Sequence, residues 1–281
     1  MKLKELKDLF RAELGNLYSV EESQIILNYI LIDALEIPKL IIISQPDLEF
    51  DAKQCEKIAS LLNDLKKGIP IQHLLGTAHF YGMMLKVNPD VLIPRQETEE
   101  LVDWIVKENK GAKLKILDVC TGSGCIALAL KKYLPNCDVT GIDVSEKALA
   151  VAKENAKNLN LDVRFQKVNA LNLVEEMKDE SFDIIVSNPP YIPSSDKNTV
   201  QRNVYMYEPH LALFVPDETP LVFYEAISRY AKKLKSVTLY FEMNEDLGHD
   251  LMELLSKMAF SDITIKNDLN GKNRMLKCRH F

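Results

Sequence analysis

The tetrapeptide Asn188-Pro189-Pro190-Tyr191 closes an apolar run, Phe182-Asp183-Ile184-Ile185-Val186-Ser187. Two prolines fix the backbone and donate no hydrogen bond, while their carbonyls remain acceptors. The Asn188 side-chain oxygen is a further acceptor. A planar NH2 group held there would give one hydrogen to Asn188 and the other to a backbone carbonyl, that of Pro189. Its nitrogen would then face a methyl donor, with Tyr191 stacked on the flat amide or base. No strong base is needed when the methyl group leaves a sulfonium. Alignment and fixed acceptor dipoles supply the acceleration, and the proton departs after transfer.

The second group is Leu117-Asp118-Val119-Cys120-Thr121-Gly122-Ser123-Gly124. Glycines at a strand-to-helix turn let a ligand approach the backbone, and the helix start offers free N–H groups. Asp143 follows about 20 residues later, at the end of the next expected strand, where a carboxylate accepts both hydroxyl hydrogens of a ribose. Two cofactors fit this spacing. A dinucleotide would use Gly122, Gly124 and Ala127; S-adenosylmethionine would use the same turn without a pyrophosphate cradle. Asp118 favours the second, because an acid ahead of the glycines repels a pyrophosphate yet can orient the loop or approach the methionine ammonium. A tight turn with no ligand is the plainer alternative, and the Asp143 spacing argues against it.

These residues must be held by ordered elements. From Leu114 onward strands and helices alternate: strands at 115–119, 138–142, 163–168, 182–187 and 238–242, and helices at 125–133, from the Ser145 cap to 159, at 220–234 and at 247–258. Residues 263–266 and 275–278, joined across Asn270-Gly271, read as a closing hairpin. Such alternation predicts an α/β fold with a doubly wound, largely parallel sheet. Residues 1–75 differ. Ile25, Ile26, Tyr29 and Ile30 recur at helical spacing, as do Cys55, Ile58, Ala59, Leu62 and Leu65, with Pro38 and Pro46 between them and Gly68 and Pro70 as stops. Residues 80–93, with Tyr81 to Asp90 read as two short strands, form a linking hairpin. The expected organisation is a helical N-terminal domain over 1–75, a hairpin linker over 76–95 and a Rossmann-like domain over 96–281.

Composition narrows the function. The chain has 281 residues, 47% hydrophobic and 27% charged, with a net charge of −6. That balance suits a protein or small-molecule substrate better than many phosphates, so nucleic acid is not the expected partner. The start has no apolar signal segment, and the apolar stretches at 25–32 and 40–43 are too short to span a bilayer, so a cytoplasmic protein without membrane contact is expected. Five cysteines form no CxxC pair, and no histidine joins them in a ligand set, so neither a metal nor a disulfide is expected.

The motifs together resemble the HemK family, the peptide chain release factor N(5)-glutamine methyltransferases, over most of the chain. The resemblance rests on Pro70-Ile71-Gln72-His73-Leu74-Leu75-Gly76, Phe80-Tyr81-Gly82, Val91 to Glu99, Asp118 to Gly124, Asp143-Val144-Ser145, Ser187 to Tyr191 and Glu208-Pro209-His210-Leu211-Ala212-Leu213, in that order. It implies a class I methyltransferase domain with a seven-stranded sheet and a final antiparallel hairpin. It implies S-adenosyl-L-methionine as methyl donor, leaving S-adenosyl-L-homocysteine, with contacts from Asp118, Cys120, Thr121, Gly122, Ser123, Gly124, Asp143, Asn169 and Asn188. It also implies class I release factors as partners of a monomeric enzyme. Their Gly-Gly-Gln glutamine would enter at Asn188, Pro189, Pro190 and Tyr191, while the N-terminal domain helps hold the factor. Three positions depart from the family: Gln96 stands where proline is usual, Cys120 where a small residue is usual, and Asn169 where a carboxylate is common. Arg95 and Glu97 are candidates for substrate binding, and Arg95, Glu97 and Thr98 alike stand evenly between a functional role and capping the helix near Glu97, with Thr98 or Glu97 satisfying its end. The rivals are an adenine- or cytosine-amino methyltransferase, which shares the Asn-Pro-Pro-Tyr chemistry, a nicotinamide oxidoreductase, which leaves that motif unexplained, and a non-catalytic binding protein, which leaves the intact motifs unexplained.

Overall fold

The computed structural model describes all residues 1–281, and their contacts divide the chain into two units. The first holds Met1–Thr77 together with Gln201–Tyr207; the second holds Ala78–Val200 and Glu208–Phe281. Residues 201–207 were expected to belong to one continuous C-terminal domain from residue 96. The reason for the difference is contact: within the first unit, Tyr207 Oη donates to the Lys67 carbonyl at 3.1 Å.

The first unit is built on helical periodicity. In α1 (Leu3–Leu14), Leu3, Leu6, Phe10 and Leu14 fall on one face and are buried. Capping boxes start α2 (Val20–Tyr29), from Ser19 and Glu22, and α4 (Ala52–Leu65), from Asp51 and Gln54. A π-helical turn, Ile30–Ala34, extends α2. Between the two prolines that interrupt the pattern lies α3 (Lys39–Ser44), and α5 (Ile71–Leu75) follows Pro70.

The second unit opens on a hairpin placed earlier than the sequence suggested, with β1 at Thr77–Phe80 (its first residue counted in the first unit) and β2 at Met83–Lys86. Tyr81 and Gly82 are its turn and not strand residues. Both have positive φ, 43° and 69°, the pair of values a type I′ turn requires. The helix α6 (Gln96–Glu108) follows. Then come β3 (Lys115–Val119), α7 (Cys125–Tyr133), β4 (Asp138–Asp143), α8 (Glu146–Leu159), β5 (Arg164–Lys167) and β6 (Ile184–Ser187). A two-residue parallel ladder joins β7 (Ile192–Pro193) to β8 (Phe214–Val215), and the chain ends with β9 (Val237–Glu242), β10 (Ser261–Asn267) and β11 (Asn273–His280).

Seven strands form one sheet in the order β10-β11-β9-β6-β3-β4-β5. β11 is antiparallel to both neighbours, and the remaining pairs are parallel. Its central strands are nearly continuously apolar because helices cover both faces, which gives two buried clusters, one around Leu117, Val119 and Phe241 and one around Ile116, Val186 and Tyr240. The chain runs outward from β3 through β4 to β5 and then returns to the other side of β3 as β6. That reversal opens a crevice beyond the carboxyl ends of β3 and β6, where ligands bind in sheets of this kind. Val119 pairs with Ser187, so the glycine loop and the Asn-Pro-Pro-Tyr segment leave neighbouring strands at the same level.

Candidate active site

The crevice is a cavity of about 280 Å³. Cys120, Gly122, Asp143, Asn169, Asn188 and Pro190 all line it. Residues as far apart in sequence as Cys120 and Pro190 therefore share one cavity. The remaining walls are largely apolar, from Val91, Leu92, Leu211, Ala212 and Phe223.

The glycine loop is held from below. Asp118 is fully buried; its Oδ2 accepts from the Thr121 hydroxyl at 2.5 Å and from the Ala127 N–H at 3.1 Å. Its Oδ1 is buried without a hydrogen-bond partner, and burial pushes the carboxyl up to about 7. Asp118 therefore orients the loop. Thr121 is buried and donates its N–H to the Ile142 carbonyl at 2.9 Å, which ties the loop to β4. Ser123 and Gly124 also lie under the surface. The Ser123 carbonyl accepts from Asn155 Nδ2 at 3.0 Å, and Gly124 caps α7 with φ at 82°. Cys120 sits at φ 62°, a conformation that costs a non-glycine residue about 1–2 kcal/mol and accounts for the small residue usual there. Its thiol is pushed up by burial and by the Asp143 and Asp118 carboxylates, so it stands in the wall as a neutral group.

Asp143 rises from the end of β4. Its Oδ2 accepts the Gly122 N–H at 2.9 Å and its Oδ1 the Ser145 N–H at 2.9 Å. Burial raises its carboxyl while these bonds oppose the shift. Each oxygen keeps further acceptor capacity toward the cavity. Asn169 Oδ1 accepts the Leu171 N–H at 3.0 Å, which fixes the amide beside the cavity.

Of the second motif, Asn188 and Pro190 line the cavity, while Pro189 is buried beside them and Tyr191 is half-buried against the sheet core, its hydroxyl pushed up by burial and by Glu242. Asn188 Nδ2 donates to the Thr98 hydroxyl oxygen at 3.2 Å, and Thr98 in turn donates to Glu242 Oε2 at 2.6 Å. Thr98 was expected among the caps of its helix. It is instead an interior residue of α6, which begins at Gln96 with Arg95 before it and has no side-chain cap bond. Glu97 is half-buried and does not cap the helix either. Arg95 is paired with Glu208 at 2.6 Å, and the second Glu208 oxygen accepts the Ile93 N–H at 3.0 Å. This ties Pro94 and its neighbours to the segment carrying Leu211 and Ala212.

Comparison with known proteins decides the family. The chain is 43% identical to the release factor glutamine methyltransferase of Flavobacterium psychrophilum, over 99% of both chains, and 40% identical to that of Bacteroides thetaiotaomicron, over 95% of this chain and 96% of that one. The chain belongs to the release factor glutamine methyltransferase family. Family models agree: a methyltransferase domain matches residues 110–258, and a PrmC N-terminal domain matches residues 5–76. Among solved structures, the catalytic domain of hMettl16 in complex with MAT2A 3′UTR hairpin 1 superposes with a TM-score of 0.55 at 16% identity, over 83% of this chain and 82% of that one. That likeness concerns the fold.

The methyl donor of the family, S-adenosyl-L-methionine, fits the residues present. It carries positive charge at sulfur and at its ammonium; Asp143, at the end of β4, presents a carboxyl group on the cavity wall, and Asp118, at the end of β3 beneath the glycine loop, has an unpartnered buried oxygen. Sequence reasoning left Thr98 evenly divided between a functional role and a helix cap, and did not single out Glu208 or Glu242 as functional. The one signal for Glu242 was its place, an acid ending the apolar strand Val237-Thr238-Leu239-Tyr240-Phe241.

Proposed function

We propose that this chain transfers a methyl group to the side-chain amide nitrogen of the glutamine in the Gly-Gly-Gln motif of class I peptide chain release factors. The observation that carries this reading is the convergence of Asn188 and Pro190 with Gly122 and Asp143 on one cavity, in a chain that matches a release factor glutamine methyltransferase over 99% of both lengths.

Bound S-adenosyl-L-methionine supplies a methyl group on a cationic sulfur. Asp143 would accept the ribose hydroxyls, Asn169 would lie beside the adenine, and the backbone of Cys120 through Gly124 would form the floor of the cofactor site. Asn188 Oδ1 accepts one hydrogen of the glutamine amide and a backbone carbonyl of Pro189 accepts the other. Two acceptors hold the poorly nucleophilic nitrogen in line and stabilise the positive charge that grows on it, which is the part of the barrier that positioning and fixed dipoles lower. Tyr191 stacks on the amide plane. Arg95 and Glu97 meet the substrate near the entrance, with Arg95 oriented by Glu208. Residues 1–75 dock the release factor, residues 76–95 link them to the methyltransferase domain, which takes up residues 96–281 apart from 201–207, and the enzyme works as a monomer in the cytoplasm. No helix is long and apolar enough to cross a membrane.

The test is a competition. The protein is incubated with labelled S-adenosyl-L-methionine, a release factor and an adenine-containing nucleic acid in one tube. Label in the release factor supports the reading. Label in the nucleic acid overturns it in favour of an amino-methyltransferase acting on bases.

A further inference from the structure

Asn188 has two polar ends of opposite sense, an acceptor oxygen and a donor NH2, and the reading above needs the oxygen to face the substrate amide. Nothing in the shape of the side chain selects that end, because a half-turn about its last torsion exchanges them. Selection requires a neighbour that can only accept or only donate.

Such a neighbour is present. Thr98 and Glu242 are both 2% exposed, the first on α6 and the second at the end of β9. β9 pairs with β6 so that Ser187 is opposite Phe241, which brings Glu242 to the level of Asn188. The Thr98 hydroxyl has one hydrogen and gives it to Glu242 Oε2 at 2.6 Å. Toward Asn188, at 3.2 Å from Nδ2, the hydroxyl has only lone pairs left. An ionised carboxylate accepts and never donates, so the direction of each bond is fixed outward from Glu242: carboxylate, hydroxyl, amide. With its NH2 bound to Thr98, Asn188 has Oδ1 remaining for the cavity it lines. The reversed amide would set two acceptors together at Thr98 and leave two donors facing each other at the substrate.

We infer that Thr98 and Glu242 are positioning residues that set the polarity of the Asn188 amide and thereby the acceptor presented to the substrate nitrogen. The inference rests on the proposed methyl transfer to an amide. Neither residue touches the substrate; both act through Asn188. Both are distant in sequence from the motif they serve, and each comes from a different element.

The experiment compares wild type, Thr98→Val and Thr98→Ser at about pH 8, where Glu242 (pushed up to about 7 by burial) is mostly ionised and accepts only. Valine matches threonine in shape and removes the hydroxyl; serine restores it. With cofactor and release factor saturating, Thr98→Val is expected to lower kcat about tenfold to a hundredfold, the scale of a mispositioned reacting group. The release factor KM and the cofactor Kd should stay within about threefold, and Thr98→Ser should return kcat to within about threefold of wild type. A Thr98→Val enzyme as fast as wild type overturns the inference, as does a serine variant as slow as the valine one, which would assign Thr98 to packing alone. If Thr98→Val does not fold, Glu242→Gln carries the test. Glutamine can donate to Thr98 as well as accept, so both amide orientations become accessible and kcat should fall severalfold at unchanged KM; a wild-type kcat overturns the inference. Failure of the reading itself looks different, because wild-type enzyme would then leave the release factor unlabelled.

Discussion

Asn188 and Asp143 divide the chemistry between them, and each makes a separate prediction. Replacing Asn188 by Asp preserves shape but puts an oxygen against Thr98, whose hydrogen is already committed to Glu242, and adds a negative charge near a buried carboxylate. That charge also stabilises the cationic donor in its ground state more than in the transition state, which slows transfer. Asn188→Asp and Asn188→Ala should each lower single-turnover methyl transfer about a hundredfold or more, the scale for loss of a preorganised polar group. Release factor affinity should move far less; rates within a few-fold of wild type for both would remove Asn188 from the account. For Asp143, loss of a charge-assisted acceptor costs about 1.5–3 kcal/mol, so Asp143→Ala should weaken S-adenosyl-L-methionine binding by roughly one to two orders of magnitude in calorimetry. The side chain also holds the Gly122 and Ser145 N–H groups, so part of that loss will come through a loosened loop. An unchanged Kd in a folded variant contradicts the assignment.

At the scale of elements, the two glycines of the cofactor loop have different duties. A Cβ on Gly124 would lie 3.1 Å from the Ala152 Cβ and 3.2 Å from Leu128 and Phe165 side-chain atoms, at φ 82°. A Cβ on Gly122 meets nothing within 4 Å, at φ 56°. Gly124→Ala combines backbone strain with overpacking, about 2–5 kcal/mol in total, whereas Gly122→Ala carries strain alone, about 1–2 kcal/mol. Denaturant unfolding of the two variants should rank them in that order, and equal losses would show that the packing under Gly124 yields. The elements around this loop were the most legible in the sequence. β3 and α7 fall on the expected residues and α8 starts after its Ser145 cap, because buried strands read as unbroken apolar runs and a cap has its own chemistry. Less was legible where periodicity is too short to register: α3 is six residues between prolines, and β7 and β8 are two residues each. The hairpin was placed late because Tyr81, a residue favoured in strands, occupies a positive-φ turn position. In the site, motif residues contiguous in sequence were visible, while the Thr98–Glu242 and Arg95–Glu208 pairs join residues 144 and 113 apart and exist only once the sheet is assembled.

At the scale of the whole molecule, Asp118 and Glu242 are buried in the second unit at a cost that depends on pH. Burial pushes Asp118 and Glu242 each up to about 7, above the roughly 4 of an unfolded carboxyl. The folded state therefore holds more protons than the unfolded state between these values. Their contribution to stability is complete below about pH 4 and is lost as pH rises through about 7. Melting temperature of the cofactor-free protein should fall between about pH 5 and pH 8, and Glu242→Gln should flatten that fall; parallel slopes for variant and wild type would mean that Glu242 ionises normally. The central claim concerns where the methyl group goes. Wild-type enzyme and Asn188→Asp are each incubated with S-adenosyl-L-methionine and a release factor, and the release factor is then digested and mapped by tandem mass spectrometry. The account predicts one added methyl group on the side-chain nitrogen of the Gly-Gly-Gln glutamine with wild type, and its near absence with Asn188→Asp over the same interval. A methyl group on any other residue, or equal modification by the two enzymes, would contradict it.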